Sequence, residues 1–153
     1  MTNLFASPGA PSLAGMGLAA TLVRALTGQK SLYTQIFGLC KQQSQYVSTG
    51  DAENLMTVLA ARGRLLEQVA PLDKELHPYK GRWQQVLDGL PGKDRATVGG
   101  LLKDVQGLLA EILAADEVDK AQLVRQKEQI GTEISRTVSG TTLNRAYGIR
   151  PRT

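Results

Sequence analysis

Between residues 94 and 138 the chain repeats apolar residues at steps of three and four over a stretch too long for a compact globule. Val98, Leu101, Leu102, Val105, Leu108, Leu109, Ile112 and Leu113 come first. After a polar gap Leu123, Ile130, Ile134 and Val138 resume the pattern. That spacing places them on one face of a 3.6-residue helix. At 1.5 Å per residue such a helix would be about 65 Å long. Only other long helices running beside it could bury its stripe.

The residues before it supply candidates. Over 29–48, Leu32, Ile36, Leu39, Gln43, Tyr46 and Val47 share one face, with Tyr33 and Cys40 on its flank. Thr49-Gly50-Asp51 then reads as a stop and a start: Gly50 can take positive φ at a helix end, and Asp51 can cap the next helix. So short a link makes the two helices antiparallel. A second helix over 52–90 carries Leu55, Met56, Leu59, Leu66, Val69, Leu72 and Leu76, with kinks or short breaks expected at Pro71 and Pro78. It restarts through Trp83, Val86, Leu87 and Leu90, and Leu90-Pro91-Gly92 ends it; Asp94 then caps the third helix, 94–138. Residues 1–28 hold Pro8, Gly9, Pro11, Gly15, Gly17 and Gly28 and read as a flexible arm; 139–153 read as a flexible basic tail. The fold expected is all-α: an elongated antiparallel three-helix bundle with a long C-terminal helix and disordered ends. Aromatics make up 5% of the 153 residues, and no stretch alternates apolar and polar for long enough to form a strand.

The net charge of +4 suggests nucleic acid until it is divided along the chain. From Lys30 to Arg136 there are fourteen basic and fourteen acidic side chains, so the surplus is Arg24, Arg145, Arg150 and Arg152. A nucleic-acid face needs clustered Lys and Arg on a folded surface, which argues against that class and leaves the basic tail as its one route. A single cysteine, Cys40, excludes an internal disulfide and fits a reducing compartment. The run Leu13 to Leu26 is short for a bilayer and contains Arg24, and the first residues make a poor signal peptide. A cytoplasmic protein without membrane insertion is the simplest expectation.

Catalytic signals are sparse. His77 has no second histidine for a metal pair or triad, and Gly28-Gln29-Lys30-Ser31 lacks the strand and the Gly-Lys-Ser/Thr order of a phosphate loop. Cys40 reads as a small packed hydrophobe. Asp116 and Asp119 interrupt the stripe of the last helix. Two carboxylates three apart suggest a divalent cation, but one helix face offers too few oxygens. The reading preferred is a solvated turn, or a buried acidic layer that sets helix register. No metal, cofactor or enzymatic activity is expected. Leu123, Val124, Ile130, Ile134 and Val138, with Leu143 and Tyr147 beyond, form apolar surface that helix one alone can cover. Either helix one covers it all, or an open groove accepts an amphipathic helix from a partner.

Leu32-Tyr33, Gly50-Asp51 with Leu55 and Leu59, the run Arg62-Gly63-Arg64-Leu65-Leu66, Ile112-Leu113 with Asp116, and Arg145-Ala146-Tyr147 together resemble the bacterial flagellar export chaperones of the FlgN/FliT type, over about Leu32 to Gly148. The Pro/Gly-rich arm and the pair Pro71 and Pro78 depart from that pattern. The resemblance implies a cytoplasmic, non-enzymatic chaperone. Such a protein binds terminal helices of hook-associated or filament-cap proteins and delivers them to type III export components. Leu123, Ile130, Ile134, Val138, Leu143 and Tyr147 would then be the partner-binding residues, in a monomer or weak homodimer. Two other classes remain open: a self-associating coiled-coil adaptor without client, and nucleic-acid binding through the tail.

Overall fold

The computed structural model describes residues 13–126, with side chains from Gly17 onward. Among these residues the chain is all-α and contains no strand. The elements are α1 (Leu13–Thr49), α2 (Ala52–Leu76), a 3₁₀ turn (His77–Tyr79), α3 (Trp83–Asp88) and α4 (Gly92–Arg125). The part of the expected third helix beyond Arg125, and the basic tail, lie outside the described residues.

Three long helices arise because each repeats its buried positions every seven residues. On α1 the seam runs Ala19, Leu22, Leu26, Gln29, Tyr33, Ile36, Cys40, Gln43 and Val47, in strict steps of three and four. On α2 it runs Leu55, Arg62, Val69 and Leu76; on α4, Val98, Val105, Ile112 and Asp119. A 3–4 alternation is the pattern of helices packed side by side with knobs in holes. It also corrects the flank assigned to Cys40. Cys40 belongs to the seam of α1 and is 1% exposed, while Leu39 beside it is only half-buried.

The hairpin between α1 and α2 forms as its sequence dictates. Gly50 has φ 73°, its N–H reaches Val47 O, and the Asp51 N–H reaches Tyr46 O, so the last carbonyls of α1 are satisfied by a left-handed cap. Asp51 Oδ1 accepts the Asn54 N–H at 3.1 Å, capping α2.

Three boundaries differ from expectation. Of the arm expected over 1–28, residues 1–12 lie outside the described residues, and from Leu13 onward the chain is α1. Ala19, Leu22 and Leu26 are buried and carry the seam straight through Gly28. A Cβ on Gly28 would lie 2.8 Å from Leu72 Cδ1, so this glycine serves close approach to α2 and not a helix break. The second helix is three pieces. It continues through Pro71 on its exposed side, and the break falls at Pro78, where the 3₁₀ turn leads to Gly81 at φ 81° and then to α3. Finally, α4 starts at Gly92, which places Asp94 in its first turn, where a carboxylate complements the helix dipole, and not at the cap.

The chain divides into two compact units, and α1, α2 and α4 each contribute to both. The first unit joins residues 13–31 to Val69–Gly107. Its interior holds Leu22, Leu26, Val69, Leu76, Leu90 and Val98, with Arg24–Glu75 and Lys30–Asp104 as ion pairs on its surface. Arg95 donates to Leu87 O and Leu90 O, closing the end of α3 onto the start of α4. The second unit joins Leu32–Gln68 to residues 108–126 and carries the candidate site.

Leu26 is 1% exposed in the first unit, so Leu26→Ala should cost about 2–5 kcal/mol of unfolding free energy in urea titration. A loose arm would give no change.

Candidate interaction face on the last long helix

In the second unit α4 presents two unlike sides. Its inner side begins in apolar packing and turns polar toward the end. Ile112 is buried, and one heptad later the same seam position is Asp119, 2% exposed. Asp119 faces Gln43, which is fully buried on the seam of α1, and Arg62, 5% exposed on the seam of α2. One polar residue from each helix therefore stands where an apolar one would normally pack.

The layer is closed by hydrogen bonds. Arg62 grips Asp116 with both terminal nitrogens, Nη1 to Oδ1 at 2.7 Å and Nη2 to Oδ2 at 2.5 Å. Nη1 also donates to Gln43 Oε1 at 3.0 Å. Gln43 Nε2 then donates to Asp119 Oδ2 at 2.8 Å and Asp116 Oδ1 at 3.2 Å, and Ser44 Oγ donates to Asp119 Oδ1 at 2.8 Å. The amide of Gln43 satisfies the network in one orientation alone: its oxygen meets the guanidinium and its nitrogen meets the carboxylates. Of the two expectations for Asp116 and Asp119, the buried layer describes what is seen. The guanidinium of Arg62 takes the place at Asp116 that a cation would need, and no group of three or more metal-ligating side chains occurs among the described residues.

Cys40 sits beside this layer, its Sγ 3.8 Å from Arg62 Nη1. Burial pushes its thiol pKa up; Arg62 opposes the shift, and Asp116 and Asp119 add to it. A thiol held protonated in this way is a packing group and a slow nucleophile.

Beyond the layer, Val47, Ala52, Leu55 and Leu59 form an apolar cluster under the hairpin, and Tyr46, Met56 and Leu123 pack against it. Leu123, expected on the partner surface, is thus half-buried against its own chain. Ile130, Ile134, Val138, Leu143 and Tyr147 lie outside the described residues.

The outer side of α4 is where apolar surface is left over. Leu113, Val118 and Val124 are 63%, 64% and 67% exposed, and Ala110, Ala114 and Ala121 lie exposed among them. Leu113 was expected in the core stripe. It follows Ile112 directly, so once Ile112 takes the seam, Leu113 is turned about 100° away from it. Leu66 on α2 is likewise exposed, at 39%, because Arg62 and Val69 hold the seam there. The seven-residue register that separates Ile112 from Leu113 was present in the sequence; the broader three-or-four rule blurred it. Val118 had no signal of its own, being one apolar residue inside an acidic run.

No family model matches the chain, nor does any curated protein or solved structure.

Arg62→Ala leaves Asp116 and Gln43 buried without their main partner. It should cost about 3–5 kcal/mol in denaturant titration, whereas Arg64→Ala on the exposed side of α2 should change stability by about 0.5 kcal/mol or less. Cys40 in the native protein at pH 8 should react with a thiol reagent about a hundredfold more slowly than in the urea-unfolded chain, reflecting both burial and the raised pKa.

Proposed function

We propose that the chain is a cytoplasmic flagellar export chaperone. It binds amphipathic terminal helices of hook-associated or filament-cap proteins and delivers them to the type III export apparatus. The reading draws on the FlgN/FliT-like residues of the sequence, and one structural observation supports it most. The C-terminal half of α4 leaves Leu113, Val118 and Val124 in water instead of turning them into the bundle. Isolated exposed apolar side chains are ordinary, but three on one helix, interleaved with alanines, form a surface suited to another helix.

The chemistry required is burial and release, not bond making. A client helix laid along the end of α4 and the residues after it gains by covering apolar area. The anchors assigned are Val124 together with Ile130, Ile134 and Val138, with Leu143 and Tyr147 closing over the client; Leu123 supports the helix from beneath. Among the described residues no helix is long and apolar enough to cross a membrane, so nothing in them opposes action away from a bilayer.

The test is binding of purified hook-associated and filament-cap subunits to the full-length chain, followed by calorimetry. Binding should persist when salt is raised from 0.1 to about 1 M, because apolar burial drives it, whereas contact through the basic tail would fade. Val124→Asp and Ile130→Asp should each weaken it about 10- to 100-fold with helicity by circular dichroism unchanged. Absence of binding to every such subunit would end the reading.

A further inference from the structure

The ion pair of the polar layer brings two exposed leucines on different helices to one level. Arg62 of α2 is bonded to Asp116 of α4, and Leu123 packs against the cluster that holds Leu55 and Leu59, so α2 and α4 run antiparallel here. Leu66, one turn past Arg62, therefore stands level with Leu113, about one turn before Asp116. The two also face the same gap. On α2, Ala52, Leu59 and Leu66 follow at seven-residue steps. The first two are buried in the cluster that Leu123 touches, and Leu66 is where that line emerges into water. On α4, Asp119 turns to Ser44 of α1 and Asp116 to Arg62 of α2. Leu113 lies about 60° beyond Asp116 in the same sense, on the α2 side. The result is a shallow groove with Leu66 on one bank and Leu113 on the other. Toward the hairpin it continues past Gly63, where a Cβ would meet nothing within 4 Å, to the half-buried Met56. Val124, three turns after Leu113 on the same edge of α4, closes that end. The groove is about 16 Å long, and three of the four large apolar side chains exposed among the described residues line it.

We propose that this groove is the bed of the client helix, and that the helix it takes carries Lys or Arg on the flank lying along α2. The inference rests on the client reading and adds where the guest lies and what its sides must be. The walls are two helices whose backbone N–H and C=O groups are bonded within them, so an extended segment finds no edge to pair with. The guest must satisfy its own backbone, and a helix does so. Lying in the groove it becomes a further member of the bundle, roughly 8–10 Å from each wall.

Charge sets the flank. Glu67, one turn past Gly63 on the same rim of α2, is exposed and in no ion pair among the described residues. Arg64 stands about 60° further round α2, away from the groove. On the opposite bank Lys120 lies 3.7 Å from Glu117, which balances it. The rim of α2 is thus acidic and that of α4 neutral, so a base on the α2 flank of the guest meets Glu67 and an acid there is repelled.

Fluorescence anisotropy of the full-length chain with two synthetic 18-residue helices tests this. Both peptides carry leucine at every third and fourth position; one has lysine flanks and the other glutamate flanks. The lysine peptide should bind with a dissociation constant of about 10–100 μM, and the glutamate peptide at least about threefold more weakly. Glu67→Lys should reverse that order. Leu66→Asp and Leu113→Asp should each weaken the lysine peptide about tenfold or more, whereas Gln68→Asp, exposed but turned about 160° from Leu66, should stay within about twofold. Circular dichroism checks folding; Leu113→Asp and Glu67→Lys, at fully exposed positions, carry the test should Leu66→Asp loosen α2. No binding of either peptide would overturn the proposal, as would a preference for glutamate flanks or a folded Leu66→Asp that binds like wild type. Binding gained only when residues 139–153 are removed would give the groove to the tail. A dimer that Leu113→Asp returns to monomer would give it to a second copy. Either result also overturns the proposal. Peptides behaving as expected while no hook-associated or filament-cap subunit binds would strike the flagellar reading alone. Subunits that bind but ignore Leu66→Asp and Leu113→Asp would strike the groove alone.

Discussion

The second unit depends on a guanidinium that has been taken out of water. Arg62 and Asp116 lie almost wholly inside, at 6% and 14% side-chain exposure, where removing two ions from solvent costs several kcal/mol each. The pair is tolerable because hydrogen bonds surround it: two from Arg62 to the carboxylate, one to Gln43, and Gln43 in turn bonded to both aspartates. An apolar layer of the same volume would be at least as stable. What the polar layer adds is discrimination. A leucine seam can slide by a heptad and still find leucine, but Arg62 finds a paired carboxylate at one register only.

That discrimination matters because the seams are repetitive. On α4, Val98, Val105 and Ile112 are nearly interchangeable, and on α2 Leu55, Val69 and Leu76 are too. Val98, Val105 and Ile112 follow one another at seven-residue steps, as do Val69 and Leu76, so apolar burial drives association without saying which of these turns meets which. The Schellman-type cap at Gly50 sets the hairpin of α1 and α2 to within a residue. For α4, which returns only after the 3₁₀ turn and α3, the polar layer is the corresponding device in the second unit. Gln29, 4% exposed on the seam of α1, is the comparable interruption in the first.

The helical character, the hairpin at Gly50-Asp51 and the break at Pro78 were legible because each rests on local chemistry: a 3.6-residue period, a residue free to take positive φ, a missing N–H. The start of α1 was not. Gly15, Gly17 and Gly28 carry a propensity penalty of about 1 kcal/mol each, and a reading by propensity stops there. Ala19, Leu22 and Leu26 outweigh it, since burying two leucines returns about 3–6 kcal/mol. Pro71 misled in the same direction, its exposed position letting α2 run past it. Within the candidate site, the acidic interruption at Asp116 and Asp119 was visible, yet its partners were not. Arg62 looks like any surface arginine in a run that also contains Arg64, and nothing local marks which of the two is buried. Only the heptad through Leu55 and Val69 does so, and that becomes decisive once the helix is known to be continuous.

The exposed face of α4 follows from the buried one by comparison of magnitudes. Rotating α4 by about 100° in one sense would bring Val118 inward in place of Asp119 and Glu111 in place of Ile112; in the other sense it would bring Leu113 in place of Ile112 and Lys120 in place of Asp119. The gain from enclosing Val118 is about 1.5–3 kcal/mol. Against it stands the loss of the carboxylates, which would leave Arg62 buried opposite no anion at about 3–5 kcal/mol, together with Gln43, fully enclosed and short of its acceptors. The second sum is larger, so the helix keeps its acids inside and its valines out. The apolar surface at Leu113, Val118 and Val124 is therefore no packing failure that a small adjustment could relieve. It is held open by ion pairing on the opposite side of the same helix, and its coverage must come from outside the inner seam.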